Sequence, residues 1–206
     1  GCGEGDLSAI LSFAGATKVD GIDYSSEAIE LANKKININN VNFILEDAQK
    51  IRGEYDAIVM AGVLEHIDKP FDLLDKLITE NLKKDGILIT ASPSFLNPRG
   101  YVWMTLQVLL NVPMSLSDVH FFMPSNFNDY ATSRKYRIKM NSIDKDWGGG
   151  RRTILDFEKR LVNALGDAKL NNNNVSKFLE WFQEAIKYFN HDDNSGAIMI
   201  TSIYKD

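Results

Sequence analysis

Gly1-Cys2-Gly3-Glu4-Gly5 opens the chain, ahead of an amphipathic run from Leu7 to Phe13. Glycines at alternate positions before a helix describe a tight strand-to-helix turn. Without Cβ atoms the backbone admits a ligand closely, and the helix start offers unpaired N–H groups. A dinucleotide fingerprint places a third glycine three residues after the second, beside the pyrophosphate. Here that position is Asp6, and its carboxylate is a poor neighbour for a pyrophosphate. Asp23 closes the next apolar run, where a carboxylate can hold two ribose hydroxyls or serve the following helix as an N-terminal partner. Asp47-Ala48 closes the run after that. This pair either meets the amino group and ring face of an adenine or belongs to a surface loop.

The chain has three histidines, the side chains suited to moving a proton near neutral pH. His66 follows a third apolar run, and Glu65 beside it either orients its ring or favours the next helix start. His120 sits in the loop before Pro124. Each reads either as a general base or as a structural hydrogen-bonding residue. His191, between Asn190 and Asp192-Asp193, reads as surface. Arg151 and Arg152, behind Gly148-Gly149-Gly150, either grip an acidic acceptor or form a solvated, flexible turn. No Cys/His cluster has zinc-like spacing, so no metal is expected.

Positioning these residues requires alternating elements. The periodicity predicts helices over Leu7 to Phe13, Glu27 to Asn37 and Phe71 to Leu82. Strands are predicted over Lys18 to Ile22, Asn42 to Leu45, Tyr55 to Met60 and Gly86 to Ala91. In the second helix Ser25 or Ser26 is the cap, and Ala28, Ile29, Leu31, Ala32 and Ile36 form its buried face. Such a rhythm implies a parallel sheet with ligands beyond the carboxyl ends of its strands, at Asp23, Asp47, Ala61-Gly62 and Ser92. After Ser92 the rhythm breaks. An apolar helix is expected around Tyr101 to Leu110, a loop from Ser115 to Phe122, and a short helix from Pro124. A strand over Tyr136 to Ser142, helices over Thr153 to Leu165 and Val175 to Phe189, and a closing strand over Ala197 to Tyr204 complete the expectation.

The 206 residues carry a net charge of −5, with 44% hydrophobic and 25% charged side chains. That balance suits a soluble globular protein and disfavours nucleic acid as a partner. Cys2 is the one cysteine, so no internal disulfide can form, and a cytoplasmic location is the expectation. The apolar stretch from Tyr101 to Met114, interrupted by Gln107 and Asn111, is too short to span a bilayer.

The segments Gly1 to Gly5, Gly21-Ile22-Asp23-Tyr24-Ser25, Glu46-Asp47-Ala48, and Tyr55 to Met60 leading to Leu64-Glu65-His66-Ile67 together resemble the successive motifs of class I S-adenosylmethionine-dependent methyltransferases. The resemblance covers roughly residues 1–92 and is nearest the small-molecule branch that includes ubiquinone-biosynthesis O-methyltransferases. Asp118 to Ser125 is similar to a later segment of that branch.

The resemblance implies a Rossmann-like three-layer sandwich. Its mostly parallel seven-stranded sheet would end in an antiparallel strand, with helical insertions on the acceptor side and a leading strand ahead of Gly1. Within a single methyltransferase domain, residues 1–92 would form the cofactor half, 93–125 a lid and 126–206 the remainder. Gly1 and Gly3 would line the methionine part of the cofactor, with Cys2 between them among the cofactor-binding residues. Asp23 would hold the ribose with Tyr24 on the adenine side, Asp47 and Ala48 would contact the adenine, and Ala61 and Gly62 would lie near the sulfonium. His66 and His120 are the candidate catalytic residues. The expected reaction is methyl transfer to an oxygen of a small-molecule, lipid-like or glycan acceptor. The apolar lid either meets that acceptor, touches a membrane surface peripherally, or packs on the core or on a second copy in a homodimer. Two alternatives stand beside this reading: a nicotinamide-dependent oxidoreductase, and an inactive cofactor-binding regulatory module.

Overall fold

A computed structural model of the chain describes residues 1–115 and 117–205. Leu116, inside the expected loop Ser115 to Phe122, lies outside the described residues. The chain forms two compact units, residues 1–56 with 72–83 and residues 57–71 with 84–206.

The first unit begins with helix α1 (Asp6–Phe13), strand β1 (Val19–Asp23), helix α2 (Ser26–Lys35) and strand β2 (Val41–Leu45). β1 and β2 pair in parallel, with Val19 opposite Val41 and Asp23 opposite Leu45. α2 starts where the Ser25 side chain accepts from the Ala28 N–H at 3.3 Å. Glu27 in its first turn and Lys34 and Lys35 in its last complement the helix dipole. Ile29 and Ala32 are buried as expected, but Leu31 is 41% exposed, because the face is narrower than the sequence pattern implied. Phe43 explains the glycine at position 21. A Cβ there would stand 2.7 Å from the Phe43 ring and 2.8 Å from Ser8 Oγ. Asn40 ties the end of α1 to the start of β2: Ser12 Oγ donates to its Oδ1 at 2.8 Å, and its Nδ2 donates to the Ala16 carbonyl at 2.7 Å.

Strand β3 (Tyr55–Ala61) follows, and helix α3 (Pro70–Lys76) runs on as a π segment, Leu77–Asn81, into strand β4 (Leu82–Pro93). The second unit adds helix α4 (Pro98–Met104) with a π segment Thr105–Leu109, helix α5 (Pro124–Arg134), strand β5 (Arg137–Ile143) and helix α6 (Lys145–Gly149). Helices α7 (Arg151–Asp167) and α8 (Val175–Ala185) and strand β6 (Ile198–Tyr204) complete it. The four-stranded sheet has the order β3-β4-β6-β5. β6 runs antiparallel to both β4 and β5, with Thr201 opposite Thr90 and Met140, as the antiparallel last strand required. The described strands number six, in sheets of two and four, against the seven expected in one sheet.

Fully buried Asn97 builds the start of α4. Its Oδ1 accepts from the Gly100 N–H at 2.8 Å, and its Nδ2 donates to the carbonyls of Ser94 and Gly196 at 3.0 and 2.9 Å. Pro98, with no N–H to satisfy, suits the first helical turn. α7 and α8 pack through Phe157, Leu161, Leu179 and Phe182 into a core shared with Phe95 and Trp103. The expected flexible turn at Gly148 to Arg152 is instead the close junction of two helices, with Gly150 extended between them. Gly148 and Gly149 are buried in α6, and Arg151 opens α7. A Cβ at Gly148 would meet the Ser195 carbonyl at 2.5 Å, and one at Gly149 would meet Pro98 at 2.9 Å. These glycines serve close packing rather than mobility. No helix among the described residues is long and apolar enough to cross a membrane.

Candidate functional site

In the first unit the glycine turn closes on Asp23. Cys2 N–H donates to the Ile22 carbonyl at 2.8 Å, and Gly3 N–H donates to Asp23 Oδ2 at 2.9 Å. Asp23 Oδ1 accepts from the Ser25 N–H at 2.9 Å, so the carboxylate joins the turn to the entry of α2. Burial alone would push this carboxyl up. The N–H groups of Ser25, Gly3 and Tyr24 counter that effect, and the carboxyl lies below its ordinary value. Gly3 adopts the left-handed conformation, φ 53°, with nothing within 4 Å of where a Cβ would stand. The turn therefore leaves open space beside the backbone. Gly5, also left-handed, answers a different demand, since a Cβ there would run into the Phe43 ring.

The Glu46 N–H donates to the Asp23 carbonyl at 3.0 Å, which tethers the end of β2 to the end of β1. Asp47 follows directly, and its Oδ1 caps the short 3₁₀ turn Ala48–Lys50 by accepting from the Gln49 N–H at 2.8 Å. Ala48 is half-buried, and the Tyr24 ring is 83% exposed. Gly1, Cys2, Gly3, Asp23, Tyr24, Asp47 and Ala48 thus belong to one unit. These residues fit an adenosyl ligand: an ionised carboxylate for hydroxyls, an exposed aromatic face, and a glycine turn with room beside it. A carboxylate has about four lone-pair sites, and besides the N–H groups of Gly3, Ser25 and Tyr24 Asp23 keeps capacity for a ligand hydroxyl.

The second unit carries the other candidates. β3 ends at Ala61, and left-handed Gly62 donates its N–H to the Ala91 carbonyl at 2.8 Å. The 3₁₀ turn Leu64–His66 follows. The N–H groups of Val119 and His120 both donate to the Glu65 carbonyl, at 3.0 and 3.2 Å. This pairing brings the His120 loop onto the His66 turn. His66 Nδ1 lies 2.9 Å from the Ser117 carbonyl and 3.5 Å from Asp118 Oδ1. A carbonyl only accepts, so Nδ1 carries the proton and Nε2 is left as the basic nitrogen. His120 Nε2 donates to the Ile67 carbonyl at 2.9 Å, and its ring stacks on Phe122 at 5.6 Å.

Glu65 does not orient the imidazole through its carboxylate; Asp118 is the acid that faces it. The Glu65 side chain turns inward, where Ser92 Oγ donates to Oε2 at 3.0 Å. Burial pushes its carboxyl above the ordinary value, and hydrogen bonds from its own N–H and from Ser92 offset this only in part. Asp118 was visible in sequence only as part of a family-like segment, because nothing local pairs it with His66. Glu65, His66 and Asp118 each offer a ligand atom within 4.8 Å of one another, a group among the described residues able to hold a cation. A carboxyl biased toward its neutral form weakens that set as a metal site.

Residues 1–144 match the family described as Methyltransferase domain. The chain belongs to the methyltransferase-domain family. Its cofactor class is S-adenosylmethionine, and the nicotinamide alternative falls. Among curated relatives, the methyltransferase domain is 25% identical over 179 residues to the ubiquinone biosynthesis O-methyltransferase of Dechloromonas aromatica, covering 79% of this chain and 75% of that protein. It is 29% identical over 90 residues to the cyclopropane-fatty-acyl-phospholipid synthase of Escherichia coli, covering 43% of this chain but only 24% of that protein. The domain therefore matches about a quarter of the length of that relative. Among solved structures, plantazolicin methyltransferase BpumL in complex with SAH and a desmethyl analogue aligns over 100% of this chain and 74% of its own, with TM-score 0.57 and 21% identity. A SAM-dependent methyltransferase from Archaeoglobus fulgidus aligns over 100% of this chain and 83% of its own, with TM-score 0.63 and 18% identity. These likenesses show a Rossmann-like α/β fold.

Proposed function

We propose that this methyltransferase domain moves the methyl group of S-adenosylmethionine to an oxygen of a small-molecule, lipid-like or glycan acceptor, with His66 as the general base. The observation that carries the oxygen assignment is the His66 ring, held at Nδ1 by the Ser117 carbonyl and faced by Asp118. A hydroxyl acceptor must lose a proton, and an imidazole fixed in one tautomer beside a carboxylate suits that task. The cofactor, when bound, supplies a methyl group already activated on a sulfonium.

Asp23 accepts from the ribose hydroxyls, Tyr24 and Ala48 offer faces to the adenine, and Asp47 accepts from its amino group. Gly1, Cys2 and Gly3 give the methionine part a backbone without bulk, and Ala61 and Gly62 serve the sulfonium end. His66 takes the acceptor proton at Nε2, and Asp118 stabilises the imidazolium that results. His120, its Nε2 spent on the Ile67 carbonyl, positions the loop and keeps Nδ1 for the acceptor. Orientation of two reactants can contribute roughly 7–11 kcal/mol, so the residues that hold the ligands matter as much as the base.

Two measurements test the reading. Calorimetric titration should show binding of S-adenosylhomocysteine and none of NAD. Asp23→Ala should weaken the former about 10- to 100-fold, since hydrogen bonds to a charged group contribute about 1.5–3 kcal/mol. Transfer of labelled methyl to hydroxylated acceptors in an extract should fall with His66→Ala through kcat, with little change in KM for the cofactor. Labelling confined to nitrogen or carbon would remove the oxygen assignment, and full turnover in His66→Ala would remove His66 as the base.

A further inference from the structure

The helical part of the second unit forms a pocket open to solvent, of about 410 Å³, within the range of roughly 300–1,000 Å³ common for small-molecule sites. Its lining is graded. Leu161 of α7 and Val175 of α8 are buried and form the floor. Val102, Leu106, Leu165 and Phe178 are half-buried and form the walls. Tyr101, Thr105, Asn171 and Asn174 are exposed and form the rim. None of these residues is charged. The cavity is therefore hydrocarbon-like inside and neutral but hydrogen-bonding at its mouth.

Two further features point to a ligand. Asn174 stands at the N-cap of α8, yet its side chain makes no cap hydrogen bond, so the amide is not spent on the helix. The helix carrying Tyr101 and Val102 also leaves α geometry for a π segment over Thr105–Leu109. That segment supplies two lining residues, and such π irregularities recur at functional sites.

We propose that this cavity binds the hydrocarbon tail of an uncharged single-chain amphiphile, with its hydroxyl or amide head at the Asn171 and Asn174 rim. A charged head finds no oppositely charged side chain among the lining residues, while its neighbouring methylenes would draw it toward the apolar walls. Asn171 Oδ1 accepts from the Asn173 N–H at 2.8 Å, so the Asn174 amide is the rim group that a purely apolar ligand would fail to engage. The binding does not depend on methyl transfer, so it stands or falls separately from the reaction proposed above.

The test is displacement of the uncharged fluorophore N-phenyl-1-naphthylamine by octan-1-ol, decan-1-ol and dodecan-1-ol, with decanoate as the charged comparison. One saturable site is expected. Affinity should rise about fourfold per added methylene, the factor for burying a CH₂ group, until the cavity is filled. Decanoate should bind at least tenfold more weakly than decan-1-ol. Leu165→Trp, which fills the cavity, should weaken decan-1-ol at least tenfold while S-adenosylhomocysteine affinity stays unchanged. Should that variant fail to fold, Leu106→Phe fills less space, and Asn174→Ala, on the exposed rim, should erase the preference for decan-1-ol over decane. The proposal is overturned by any of four results. These are no saturable site, affinity independent of chain length, decanoate binding as well as decan-1-ol, or a fluorophore signal that tracks self-association in sedimentation, which would assign the cavity to a second copy of the chain.

Discussion

Asp23 and Glu65 are both buried acids, and their surroundings push them in opposite directions. Backbone N–H donors hold Asp23 below its ordinary value of 3.8, so its stabilising contribution is present above that value and lost as pH falls through the folded one. Burial holds Glu65 above its ordinary value of 4.5. Its contribution is therefore present below that value and declines as pH rises toward the folded one. Glu65→Gln keeps an acceptor for the Ser92 hydroxyl and removes the ionisation. Thermal scans should find the variant level with wild type near pH 4 and above it near pH 8. A gap that does not grow in favour of the variant with pH would mean burial does not raise the carboxyl. Cys2, the one free thiol, is also raised by burial, so less thiolate is present at neutral pH. Its alkylation by iodoacetamide should run slower than that of a free cysteine.

At the scale of elements, Asn97 and the glycines around it hold the second unit's helices in place. Asn97 caps α4 and at the same time donates to two carbonyls in a fully buried position. Asn97→Ala removes the cap and strands buried acceptors, at a cost of about 2–4 kcal/mol. Ser25→Ala, at the half-buried cap of α2, should cost only about 1 kcal/mol. Urea unfolding of both variants checks the ranking. Gly100→Ala should be at least as damaging as Asn97→Ala, because its Cβ would stand 2.3 Å from the Phe95 backbone, where no flexible side chain can give way.

Across the whole molecule, charge sets what the surface does. The −5 balance predicts no retention of duplex DNA or RNA in gel shifts at about 0.15 M salt. Lys35, which reaches both Glu4 and Asp6 beside the glycine turn, is exposed at every partner. Solvent screens such exposed pairs, so Lys35→Ala should leave the thermal midpoint nearly unchanged. The turn is held instead by backbone bonds and Asp23.

The sequence by itself determined the alternating elements, the glycine turn, and Asp23 and Asp47 at successive strand ends. Each of these is written in neighbouring residues, where periodicity and spacing act directly. The family resemblance of its first half also implied the antiparallel closing strand. Only the tertiary structure decided that Asp118 rather than Glu65 faces His66, that Glu65 turns to Ser92, and that Gly148 and Gly149 are packed rather than mobile. Only the tertiary structure produced the cavity among α4, α7 and α8. These outcomes depend on side chains far apart in the chain meeting at fixed distances. No local pattern encodes such meetings, because packing and hydrogen bonding across elements select them only once the strands and helices are in place.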